Sequence, residues 1–122
     1  MAAANQFEIV HEILDLAGAR WTIDVLSVLR DERLRFNAIS RAVEGISQKQ
    51  LTQTLRSLQR HGFALRVAFA TIPPRVEYEL TELGQDFVAS VRTLGAFAVR
   101  NQQSIEAARR DFDEPEDMSP TA

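Results

Sequence analysis

The chain has 122 residues, 45% hydrophobic and 25% charged, which suits one globular domain with a real core and some peripheral segment. Fourteen Lys and Arg against 17 Asp and Glu give a net charge of −3, and the absence of cysteine excludes a disulfide framework, a thiolate zinc site and a thiol redox switch. No apolar run is long enough to cross a bilayer and "MAAANQFEIV" lacks a basic region followed by an apolar one, so a cytoplasmic chain with no membrane partner is expected. His11 and His61 lie far apart without ligand-like spacing, so no metal or other cofactor is expected.

In chain order, "FEIVHEILDLA" sets Ile9, Ile13, Leu14 and Ala17 on one stripe at helical spacing, and Gly18 breaks the helix. A second helix is predicted from about Trp21 to Arg30, with Ile23, Leu26 and Leu29 facing inward. "DERLRF" reads as a connector and short edge strand. "NAISRAVEG" reads as a short helix capped by Asn37, with Ile39 and Val43 one turn apart and Gly45 closing it in the left-handed conformation. Ser47 opens the next helix, and Gln50 three residues on completes a capping box. Leu51, Leu55 and Leu58 define its buried side and Gly62 ends it.

Beyond Phe63 the period changes from helical to alternating. "LRVAFA" and "VEYEL" read as strands, and the paired prolines of "TIPPR" between them suit a hairpin loop. Arg66 and Arg75 are expected to flank its tip. Thr81 is then expected to cap a long helix from about Glu82 to Arg110, whose apolar Leu83, Phe87, Val91, Leu94 and Ala98, with Val88 and Phe97 beside them, exceed what one small module covers. A partner surface follows. Residues 1–110 are therefore read as one domain, and the acidic "DFDEPEDMSPTA" of 111–122 as a disordered tail.

The charge is divided along the chain. Residues 33–75 hold eight basic side chains, among them Arg35, against the single acid Glu44, a net +7, while the remainder carries −10. Such asymmetry is the electrostatic footprint of a phosphate-binding surface, or else of basic side chains that pair with acids elsewhere in the fold. Advancing by about 100° per residue puts Lys49, Gln53, Arg56 and Arg60 opposite the leucines, with Thr52 on the flank. A solvated helix face ordinarily mixes charge signs; this one holds only cationic, amide and hydroxyl groups, which suit phosphates and the edges of guanine and adenine. Two helices joined by so short a turn make a helix-turn-helix whose second member can enter a major groove, and the hairpin behind it forms a wing suited to backbone or minor groove.

No Gly-rich phosphate loop, metal-ligand cluster or nucleophile–base pairing points to an enzyme. Glu77 and Glu79, on one face of a strand, read as solvent-facing partners for wing arginines rather than as an acid–base pair, and His61 near a helix C-terminus reads as a surface residue. Trp21 has two readings, core packing at the start of the second helix or the lining of an effector pocket.

In sequence, "ARWTIDVLSVLRDERLRFNAISRAVEGISQKQLTQTLRSLQRHGF" followed by "PPRVEYELTELG", within residues 19–84, resembles the HxlR-type winged helix-turn-helix transcriptional regulators, relatives of the MarR group. The resemblance implies a mainly α fold with a small β-hairpin wing, in a bacterial homodimer joined through N- and C-terminal helices. It further implies sequence-specific binding of double-stranded DNA at an inverted-repeat operator. Carried over residue by residue, the DNA-binding positions are Ser47, Gln48, Lys49, Thr52, Gln53 and Arg56 on the helix and Arg75 on the wing, to which the basic Arg35 and Arg66 are added. Several redox-sensing members use a cysteine ahead of the tryptophan matching Trp21; this chain has none, so a noncovalent small-molecule effector is the expected signal. The alternative is a winged-helix ligand-sensing or protein-interaction module without specific DNA binding.

Overall fold

A computed structural model describes residues 2–115, side chains being described from residue 6. The elements run α1 (Ala2–Gly18), α2 (Thr22–Leu29), β1 (Leu34–Arg35), α3 (Phe36–Ala42), α4 (Gln48–Arg60), β2 (Ala64–Phe69), β3 (Arg75–Leu80), α5 (Glu82–Arg100) and α6 (Gln102–Asp113). The chain divides into two compact units, Met1–Val91 and Arg92–Ala122. It is mostly helical, with a small three-stranded antiparallel sheet in the order β1-β3-β2. Leu34 stands opposite Tyr78 and Arg35 opposite Glu77 on one edge of β3, while β2 pairs along its other edge from Ala64↔Leu80 to Phe69↔Arg75.

One core holds the first unit together. Leu51, Leu55 and Leu58 of α4 are fully buried against Val25, Leu26 and Leu29 of α2, Ile39 of α3, and Phe63 and Phe87, whose rings stack 4.5 Å apart. Truncating any one of these leucines to alanine removes contacts on every side, a loss of about 2–5 kcal/mol in a site that cannot collapse. The expected β1 edge strand, the left-handed Gly45 and the Ser47 cap are all present.

Four expectations are corrected. Ile23 is exposed, and Val25 takes the inward place beside Leu26 and Leu29. Asn37 caps nothing: α3 starts directly off β1 with Arg35 at its N-cap, so Asn37 lies in the first turn. The long C-terminal helix is broken at Asn101, whose Nδ2 donates to the Phe97 carbonyl oxygen at 2.8 Å and whose backbone leaves the helical region. Residues 111–113, assigned to a disordered tail, close α6; the expectation for 116–122 lies outside the described residues.

The start of α5 is locked onto the end of α4. Thr81 Oγ1 donates to the Gly62 carbonyl oxygen at 2.6 Å and accepts from the Gly84 N–H at 2.9 Å, capping α5 as expected. The Thr81 N–H in turn donates to the Phe63 carbonyl oxygen at 3.0 Å. Gly62, at φ +78°, makes the turn that brings these groups together, and residues with a side chain seldom adopt that conformation.

Candidate nucleic-acid interface

Helix α4 is built from its cap outward. The Ser47 Oγ accepts the Gln50 N–H at 3.1 Å and the Gln50 Oε1 accepts the Ser47 N–H at 2.9 Å, so two backbone donors at the helix start are satisfied reciprocally. With the leucines buried, the opposite face exposes Lys49, Gln53, Arg56 and Arg60, with Thr52 exposed on the flank and Gln48 exposed in the first turn. None of Lys49, Arg56 and Arg60 forms an ion pair among the described residues. Their charge is directed at solvent. Ser47 belongs with them in place, although its backbone and hydroxyl are already engaged in the cap.

The wing is electrostatically different. Arg75 Nε lies 3.2 Å from Glu77 Oε2, and its guanidinium stacks on the Phe69 ring at 4.3 Å. That Nε is buried, and its N–H is not aligned on any acceptor despite the short distance, so the pair is an ionic contact rather than a formed hydrogen bond. Arg35 Nε reaches the same carboxylate oxygen at 4.0 Å, and Arg33 bridges Glu77 at 3.8 Å and Glu79 at 3.2 Å. Glu77 and Glu79 are thus the arginine partners expected of them, but they are largely covered rather than solvent-facing, at 19% and 32% exposure. Their cost is that Arg35 and Arg75 already face an internal anion.

Arg66 does not flank the wing tip. It stands opposite Tyr78, three pairs from the closing Phe69↔Arg75 pair, and strand alternation puts it on the other side of the sheet from Glu77. Arg41 and Asn37 were not singled out as site residues, yet both line a cleft with Arg35 and Arg75. The signal was present as an i, i+4 spacing on α3 following Arg35.

Trp21 lies between the core and a surface recess. Part of the ring packs against the core, and the residue also lines a recess of about 310 Å³ with Leu16, Arg20, Gln50, Gln53 and Thr54. The Arg20 guanidinium lies 4.0 Å from the ring centroid, and the buried Nε1 donates to no acceptor among the described residues. Gln53 therefore borders the recess while standing on the exposed face of α4.

A short helix-turn-helix with a three-stranded wing, and a cationic, acid-free second helix, define a winged helix-turn-helix transcriptional regulator. The HxlR-like helix-turn-helix family matches residues 16–106, and the chain belongs to that family. It is 36% identical over 98 residues to the uncharacterized HTH-type transcriptional regulator YtfH of Escherichia coli (strain K12), covering 80% of this chain and 78% of that protein. Among solved structures it is similar to the transcriptional regulator ytfH from Salmonella typhimurium, at 36% identity and TM-score 0.67, over 83% of this chain and 90% of that one. It is also similar to the redox regulator HypR in its reduced form, at 32% identity and TM-score 0.70, over 80% and 97% of the two chains. The family is one of transcriptional regulators, not of enzymes. No helix among the described residues is long and apolar enough to cross a membrane.

Proposed function

We propose that the protein binds double-stranded DNA sequence-specifically as a homodimer, seating α4 in the major groove. The observation that carries this reading is the outward face of α4, where Lys49, Gln53, Arg56 and Arg60 project with no acid paired to them among the described residues. The competing reading, an interaction module, requires acids to cover that face. Gln53 and Arg56 suit bidentate contacts to adenine and guanine edges; Gln48, Lys49 and Thr52 surround them, while Ser47 fixes the helix start. Arg35 and Arg75 hold the backbone beside the wing, and Arg66, away from the tip, is the least favourably placed of the set.

The homodimer is supported by apolar side chains that each unit leaves in solvent. Phe7, Ile9, Val10 and Leu14 are exposed on α1, and Leu94, Phe97 and Val99 on the distal part of α5. Exposed apolar patches of this extent mark association surfaces, and a second copy supplies matching stripes under two-fold symmetry. Sedimentation at micromolar concentration is expected to return a dimer; a stable monomer there would remove the basis for two recognition helices one turn of DNA apart.

A noncovalent effector fits the Trp21 recess. An apolar indole, an unpaired buried N–H and the polar Gln50, Gln53 and Thr54 are the usual mixture of a small-molecule site. Because Trp21 is the single tryptophan, its emission reports occupancy directly. The decisive experiment is footprinting on the DNA beside the gene with and without candidate metabolites, following Trp21 emission in the same samples. Protection of an inverted repeat supports the reading, and uniform or absent protection argues for the interaction module.

A further inference from the structure

Where β1, α3 and the start of β3 meet, an open cleft of about 340 Å³ is lined by Arg35, Asn37, Arg41, Arg75, Phe36 and Val76, with no carboxylate in its wall. Three arginines line this one cleft, and their like charges repel each other unless an anion lies near. Part of that role falls to Glu77 in the strand behind, which contacts Arg35 and Arg75 as well as Arg33. Arg41, in the last turn of α3, has no ion-pair partner among the described residues. One carboxylate against this many arginines leaves the cleft cationic. Its donors are those that bind phosphate oxygens, and an open cleft, unlike an enclosed cavity, suits a chain that enters and leaves it.

Resting on the DNA-binding reading above, we propose that this cleft seats a phosphodiester of the duplex backbone. Arg41 and Asn37 are then contacts additional to those already assigned, and Glu77 is an internal anion that holds Arg35 and Arg75 ready and competes with the phosphate for them. Glu77 thereby limits affinity. Its removal leaves Arg75 stacked on Phe69, so the loss of a like charge beside the phosphate outweighs the loss of a positioning contact.

The test uses the full-length protein, a labelled operator duplex and a random duplex of equal length, each titrated over a range of chloride concentrations. Arg41→Gln, at an exposed position, is expected to weaken both duplexes by the same factor and to lower the magnitude of the log K against log salt slope by about 2 per dimer. Glu77→Gln is expected to tighten both severalfold and to steepen the slope. If Arg41→Gln changes neither affinity nor slope while Arg56→Ala still removes operator preference, the cleft assignment is overturned and the DNA reading stands. If neither variant affects DNA binding, both fall together. Inorganic phosphate is the control for a free anion: should it raise the melting temperature of wild type but not of Arg41→Gln, with duplex binding unaltered by that variant, the cleft serves a free phosphate and the backbone assignment is overturned.

Discussion

Arg56→Ala is expected to weaken binding to the true operator by about 1–3 kcal/mol, roughly 5- to 150-fold, with a much smaller effect on random DNA. The asymmetry follows from what the side chain can reach. Arg56 is exposed on α4 opposite the buried leucines and forms no ion pair among the described residues, so its fork is free for a guanine edge. Thermal stability and the oligomeric state should be unchanged. Competition binding against a random duplex, alongside thermal melting, separates the outcomes. Intact operator binding with a disrupted dimer or an unfolded domain would mean that the face of α4 is a structural or protein-binding surface.

Gly84→Ala is expected to have a large effect on folding, at least about 3 kcal/mol, or a fall in melting temperature of roughly 12 °C or more. A Cβ at Gly84 would clash with the Phe63 carbonyl oxygen and come within 2.9 Å of its carbonyl carbon. Both are backbone atoms, and the same oxygen accepts the Thr81 N–H. Neither can move without opening the joint between α4 and α5. Gly95→Ala is the control, since a Cβ there meets nothing within 4 Å, and in mid-helix it should add about 0.5–1 kcal/mol. Equilibrium denaturation of the two variants against wild type decides the matter; a Gly84→Ala protein as stable as wild type would refute the close approach.

What was legible in the sequence was what local chemistry specifies. The capping box of Ser47 and Gln50, the leucines of α4, the left-handed Gly45 and the prolines between β2 and β3 each act within a few residues of themselves. The misreadings arise where distant partners decide. Asn37 is a good capping residue, but the pairing of Leu34 and Arg35 with β3 fixes where α3 begins and leaves it two positions too late. Ile23 and Val25 both fit a helical stripe, and only packing against α4 selects Val25. The break at Asn101 involves no glycine or proline; its carboxamide and its own backbone N–H share the Phe97 carbonyl oxygen. At the candidate site, the run of acid-free positions on α4 could be counted directly. The gathering of Arg35, Arg41 and Arg75 around one cleft could not, because it depends on the register of β1 against β3.

The reciprocal cap at Ser47 has a calorimetric consequence. A helix whose first donors are already satisfied, and whose leucines are already in a core, is formed before any duplex arrives. The ordering entropy that disordered basic segments lose on meeting DNA is, for α4, lost during folding of the protein itself. Heat-capacity change on association then reports burial of surface between two rigid bodies, without the large negative contribution of a segment folding on its target, and the reading frame of Lys49, Gln53 and Arg56 is set once, at synthesis.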